Sequence, residues 1–243
     1  MLLAALFGAL AASTLLIGGV IAYAMRPSPR FAAIVMALGS GLLIGSVAYD
    51  LVEDAQVSLP IAGTAVSLMA GAALFVVGSR IIERRGGGRR KSPSGGQDAT
   101  GNPLPIVLGS VLDGIPESFV LGLSVLHGGV SVPLLVGIGL SNLPEGLAAS
   151  TGLRARGWPR IRVLGMWSAV MVSSALAAAL GHEVLAADGG VLAGVAQGFA
   201  AGALLAMIAD TMVPEAYEVE REWTGGLVVA GFALSLLIAA VLM

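Results

Sequence analysis

The chain has 243 residues, of which 56% are hydrophobic and 12% charged, with a formal net charge of -2 and a mean hydropathy of +0.91. A soluble domain carries about a quarter charged residues to keep its surface hydrated, so this composition excludes an ordinary water-soluble enzyme domain and points to lipid as the solvent. There is no cysteine, which removes disulfides and thiolate metal sites and leaves oxygen ligands, two histidines and methionine thioethers for any metal chemistry.

At ~20 apolar residues per crossing, the chain has room for about eight spans. Apolar runs fall at about 2–24, 31–51, 61–83, 104–127, 131–153, 160–182, 190–213 and 223–243. The first run has no basic flank before it and is longer than a signal-peptide core, so it reads as a retained span. Dense glycine, alanine and serine suit close helix packing in lipid. A helical bundle is predicted, because a barrel needs short alternating segments.

The basic residues orient the bundle. Arg26 and Arg30 follow the first run. Arg80, Arg84, Arg85, Arg89, Arg90 and Lys91 end the third run or follow it. Arg154, Arg156, Arg160 and Arg162 separate the fifth and sixth, and Arg221 precedes the eighth. With eight alternating spans all thirteen lie on one side, which the positive-inside rule assigns to the cytoplasm. Both termini are then expected outside. The outer connections carry Glu53, Asp54, His127, His182, Glu183 and Asp188, an acidic rim that would concentrate cations. Residues 84–103, rich in Gly, Ser and Arg, read as a flexible cytoplasmic loop.

Two internal repeats stand out. Leu112-Asp113-Gly114-Ile115-Pro116-Glu117 and Leu140-Ser141-Asn142-Leu143-Pro144-Glu145 share an L-x-x-x-P-E core. Gly41 to Ala55 aligns without gaps on Gly202 to Ala216, matching Asp54 with Glu215. Those segments cross in opposite directions, as in the inverted repeats of secondary transporters.

The fourth, fifth and seventh apolar runs carry four acids: Asp113 and Glu117 in the fourth, Glu145 in the fifth and Asp210 in the seventh. An ionised carboxylate at the centre of a span costs ~2.5–3.5 kcal/mol, and four cost on the order of 10 kcal/mol. No Lys or Arg lies within the fourth, fifth or seventh run to offset this, so protons or metal ions are the expected counter-charge. Asp113 and Glu117 share a helix face at i, i+4, as Asn142 and Glu145 do at i, i+3. Each glutamate follows a proline, which frees the carbonyl one turn earlier. Carboxylates, an amide and free carbonyls form an oxygen-rich cage suited to hard divalent ions. Asp210, one turn before Pro214-Glu215, is a further candidate ligand near the cytoplasmic end.

At these residues the chain resembles the ZIP family of zinc and iron transporters. The fourth run has D-G-I-P-E-S where that family typically has H-N-x-P-E-G, so Asp113 stands for the histidine and Gly114 for the asparagine. The fifth has S-N-L-P-E-G, and the seventh, A-G-A-L-L-A-M-I-A-D-T-M-V-P-E-A, is similar to the family's seventh helix. The resemblance implies an all-α membrane protein, an eight-transmembrane-helix bundle of ZIP-transporter type with outside termini and a long loop after the third span. It implies uptake of zinc, manganese or iron into the cytoplasm across the plasma membrane, through Asp113, Glu117, Asn142, Glu145 and Asp210. No permanently bound cofactor is expected, and the metal is cargo. Divalent metal ions and membrane lipid are the expected partners, nucleic acid is not, and a homodimer is an allowed assembly. The alternatives are a membrane protein with a structural or regulatory metal site and, further off, an intramembrane metalloprotease. The protease needs H-E-x-x-H, whereas His182-Glu183 has no second histidine after it.

Overall fold

The computed structural model describes residues 1–25, 28–82, 84, 104–125, 130–186 and 190–242. Among them there are helices and no strands. Eight helices are long and apolar enough to cross a membrane. They are Leu2–Ala24, Pro29–Ser58, Ile61–Ile82, Leu104–Ser124, Val132–Ala155, Arg160–Ala186, Val191–Glu220 and Thr224–Leu242, named below as the first to eighth spans. Arg26, His127, Asp188 and all but Arg84 of the expected loop 84–103 lie outside the described residues.

Local chemistry sets several ends. The Ser28 and Ser131 hydroxyls accept from the Phe31 and Leu134 amides at 3.3 Å, capping the second and fifth spans, and proline opens the first turn of each, where no N–H is needed. Leu59 is extended, with φ -123 and ψ 143, the conformation that a following proline favours, and the second span stops before Pro60.

Two spans are longer than the sequence suggests. The second runs on past 51 and the seventh past 213, each through a π-turn, Val47–Val52 and Ile208–Met212. Glu53 and Asp54, expected in an outer connection, therefore belong to the second span. The π-turns begin at matching positions of the repeat, and the second directly precedes the turn that holds Pro214. His182 and Glu183 likewise lie in the last turns of the sixth span.

One contact recurs in four helix pairs and builds the bundle. Gly18 lies on the Leu143 carbonyl and Gly146 on that of Leu15; Gly41 on Val228 and Gly231 on Leu38; Gly71 on Phe199 and Gly202 on Leu68; Gly122 on Ala178 and Gly181 on Phe119. A methyl group on any of the eight would overlap the facing carbonyl oxygen. Each span gives one carbonyl and, three residues on, one glycine. The pairs are first with fifth, second with eighth, third with seventh and fourth with sixth, all crossing in the same direction. Such close approach gains dispersion and Cα–H···O contacts where lipid offers no hydrophobic drive.

The pairing extends the repeat to the whole chain. Exchanging first with sixth, second with seventh, third with eighth and fourth with fifth turns one set of contacts into the other. The exchanged spans run oppositely, so the fold is an inverted repeat. Its second, fourth, fifth and seventh spans are the most buried, and the third and eighth lie outermost.

Polar contacts tie the ends as alternation requires. At one end Tyr23 Oη donates to the Trp158 carbonyl (2.6 Å), Arg154 Nη1 to the Ala22 carbonyl (2.7 Å), and Arg30 to Glu220 through two bonds of 2.7 and 3.0 Å. At the other, the Met1 amine lies 3.2 Å from His182 and Gln197 Nε2 donates to Asp54 Oδ2 at 3.3 Å. The Glu220 side chain is 2% exposed, so losing its partner strands a buried charge. Arg30→Ala is expected to lower the thermal midpoint in detergent, and Glu220→Gln added to it should restore most of the loss.

Candidate metal centre between the fourth and fifth spans

The fourth and fifth spans sit in the middle of the bundle and carry the acids. Asp113, Glu117 and Glu145 are each 1% exposed and Asn142 5%. Ser110, Asp113 and Glu117 fall at i, i+3 and i+7, so they lie along one stripe of the fourth span. The Ser110 hydroxyl donates to Glu145 Oε1 across the interface. In return the Ser141 hydroxyl of the fifth span lies 3.3 Å from Glu117 Oε1 and 2.9 Å from the Ile138 carbonyl. Each glutamate is thus held by a serine of the other helix.

This reciprocity has a specific origin. In the packing repeat Leu143 and Gly146 correspond to Phe119 and Gly122, which makes Ser141 the counterpart of Glu117. The two Pro-Glu motifs are therefore out of step with the packing by about one helical turn. The offset places a hydroxyl, rather than a second carboxylate, opposite Glu117. Two like charges in direct opposition would raise the cost of both.

Asn142 turns elsewhere. Its Nδ2 donates to the Ala11 carbonyl of the first span at 3.4 Å, which leaves its oxygen as the atom for a cation. Gly114 leaves space beside Ser174 of the sixth span: a methyl there would lie 3.4 Å from the Ser174 hydroxyl. Pro116 and Pro144 stand inside helices that continue on both sides, so the Leu112 and Leu140 carbonyls lack their usual donor one turn on.

Asp210 differs from this group in exposure. Asp210 lies in the π-turn of the seventh span and is exposed, while the other four residues are buried. The extra residue of a π-turn rotates the helix face that follows it, and spacing read on an α-helix misses that rotation. Among the described residues no three His, Asp or Glu side chains gather closely enough to hold a metal ion. Any coordination here draws on carboxylates from two spans together with hydroxyl, amide and carbonyl oxygens. Ser110 is a member that the acids alone do not reveal; its i, i+3, i+7 relation to Asp113 and Glu117 is the signal that finds it. Asp50, at the end of the second apolar run, is an acid outside this group, and it accepts a hydrogen bond from Ser131.

Fold and site together define a multi-pass, all-helical membrane protein with a buried carboxylate pair at its centre. No family model matches the chain, and no curated protein matches it.

Proposed function

We propose that this protein is a divalent metal-ion transporter of ZIP type, carrying zinc, manganese or iron into the cytoplasm across the plasma membrane. The observation that carries the reading is the pair Glu117 and Glu145: two buried carboxylates on adjacent central spans, each following a proline and each held by the other helix's serine. Ionised carboxylates in a span demand a counter-charge, and a divalent cation supplies two units at once. Asp113 and the oxygen of Asn142 extend the ligand set. The donors are hard oxygens, which suit manganese and iron as well as zinc.

The inverted repeat supports transport, because exchanging two equivalent arrangements opens a central site to either face in turn. In this reading the end that carries Arg30, Arg154 and Arg221 faces the cytoplasm and both termini lie outside. The metal leaves when protons replace it on the carboxylates.

The test is uptake of radiolabelled zinc and manganese by proteoliposomes. Uptake above that of protein-free vesicles, lost in Glu117→Gln and Glu145→Gln, supports the assignment. Metal binding without flux would support a structural or regulatory site instead. Because Asp210 is exposed while the carboxylate pair is buried, Asp210→Asn is expected to leave uptake at the parental level in the same assay.

A further inference from the structure

The inverted repeat allows the two ends of the bundle to be compared residue by residue. Exchanging second with seventh and fifth with fourth turns the contact between the second and fifth spans into one between the seventh and fourth. The first lies toward the end that holds Met1, the outer end in the transport reading, and the second toward the cytoplasmic end. They are not alike. The second and fifth spans lie closely against each other, whereas the seventh and fourth touch far less. Side chains account for the difference. A methyl group on Gly39 would lie 3.1 Å from the Leu140 and Ser141 backbone, and one on Gly137 would lie 3.0 Å from the Leu43 side chain. The counterparts of these glycines are Ala200 and Asp113. A methyl and a carboxylate there keep the two backbones from an equally close approach.

A hydrogen bond adds to the tighter contact. Asp50, on the π-turn of the second span, accepts from the hydroxyl of Ser131, the residue that caps the fifth span. The fifth span carries Asn142 and Glu145, so this bond ties half of the carboxylate pair to a span outside it. The corresponding bond at the cytoplasmic end would join Thr211 to Val107. Thr211 donates its hydrogen to the Met207 carbonyl at 2.6 Å, and a valine side chain has no polar atom, so that bond cannot form.

We propose that the Asp50–Ser131 hydrogen bond is a latch that holds the outer end closed over the Glu117–Glu145 pair. It rests on the transport reading, in which the two equivalent arrangements open the central site to either face in turn. For a metal to enter from outside, the second and fifth spans must part and the latch must break. The cytoplasmic end has no equivalent bond to break, so the empty protein favours the state closed to the outside. One hydrogen bond to a carboxylate sets that preference at roughly tenfold in population.

The chain has no cysteine, so a single introduced thiol reports opening. Leu134, just inside the fifth span from Ser131, is fully buried. The experiment is the rate at which Leu134→Cys reacts with a water-soluble maleimide in the full-length protein, purified in detergent without metal. Asp50→Ala and Ser131→Ala are each expected to speed the reaction about tenfold. Both together should speed it no more than either alone, because they break the same bond. Ser131→Asp keeps a capping oxygen but sets a carboxylate against Asp50, and should speed it at least as much. Leu153→Cys, buried at the cytoplasmic end of the same span, should react no faster in any of these variants. An unchanged rate for Leu134→Cys in Asp50→Ala would overturn the latch, as would equal acceleration at Leu153→Cys, the mark of general loosening. A protein that shows the expected labelling but takes up no metal in proteoliposomes would lose the transport reading and keep the outer closure. One that takes up metal without latch-dependent labelling would lose the latch alone.

Discussion

Glu117→Gln and Glu145→Gln are each expected to reduce metal uptake more than a hundredfold while leaving the protein folded and no less stable. Glutamine keeps the volume of glutamate and an oxygen that accepts from Ser110 or Ser141, so the helix interface is preserved. What it removes is one negative charge in a site shielded from water. Breaking a buried charge pair by removing one partner costs ~3–5 kcal/mol, and every 1.4 kcal/mol is about tenfold in affinity. Stability should move the other way, because a neutral amide is spared the ~2.5–3.5 kcal/mol cost of placing a charge at mid-span. Uptake in proteoliposomes and thermal unfolding in detergent, measured on the same preparations, separate the two effects. Parental uptake in either variant would remove that glutamate from the site; a collapse of both uptake and thermal midpoint would make its role structural.

The second large effect concerns the glycine crossings. Gly41→Ala and Gly202→Ala are expected to destabilise the protein by similar amounts, about 2 kcal/mol or more, at the upper part of the range for overpacking. The added methyl meets a backbone carbonyl of the neighbouring helix, Val228 or Leu68. A backbone cannot rotate aside as a side chain can, so the helices must separate and lose their Cα–H···O contacts. Equality between the two variants follows from their equivalence in the repeat. Gly165 and Gly226 provide the contrast, since a methyl there meets nothing within 4 Å. Gly165→Ala should be neutral or stabilising, by up to about 1 kcal/mol from helix propensity. Unfolding titrations of the four variants check the pattern. A neutral Gly41→Ala would mean that the crossing is looser than described.

Much of the architecture is legible in the chain because lipid imposes a coarse rule. Every backbone polar group in a span must be satisfied within the helix, so eight apolar runs predict eight helices. The prolines and serines that flank several runs locate ends through local chemistry alone, as Ser28, Ser131 and Pro60 do. The acidic candidates are equally readable, because a carboxylate in an apolar run is costly wherever the run packs. Burial of Asp113, Glu117, Asn142 and Glu145 follows that logic.

Other features depend on contacts between distant residues. The π-turns add a residue without changing composition or apolar periodicity, so the full length of the second and seventh spans and the exposure of Asp210 do not show in the sequence. Thirty-five glycines announce close packing, but only the assembled bundle selects the eight that meet a carbonyl and reveals four equivalent crossings. The similarity of the two Pro-Glu motifs hides their offset of about one turn, which sets Ser141 against Glu117 and Ser110 against Glu145. Thus the sequence by itself determined a helical membrane protein with acids buried in its spans. Only the tertiary structure decided which serine meets each buried glutamate, because register between helices is set by backbone contact rather than by any pattern within one helix.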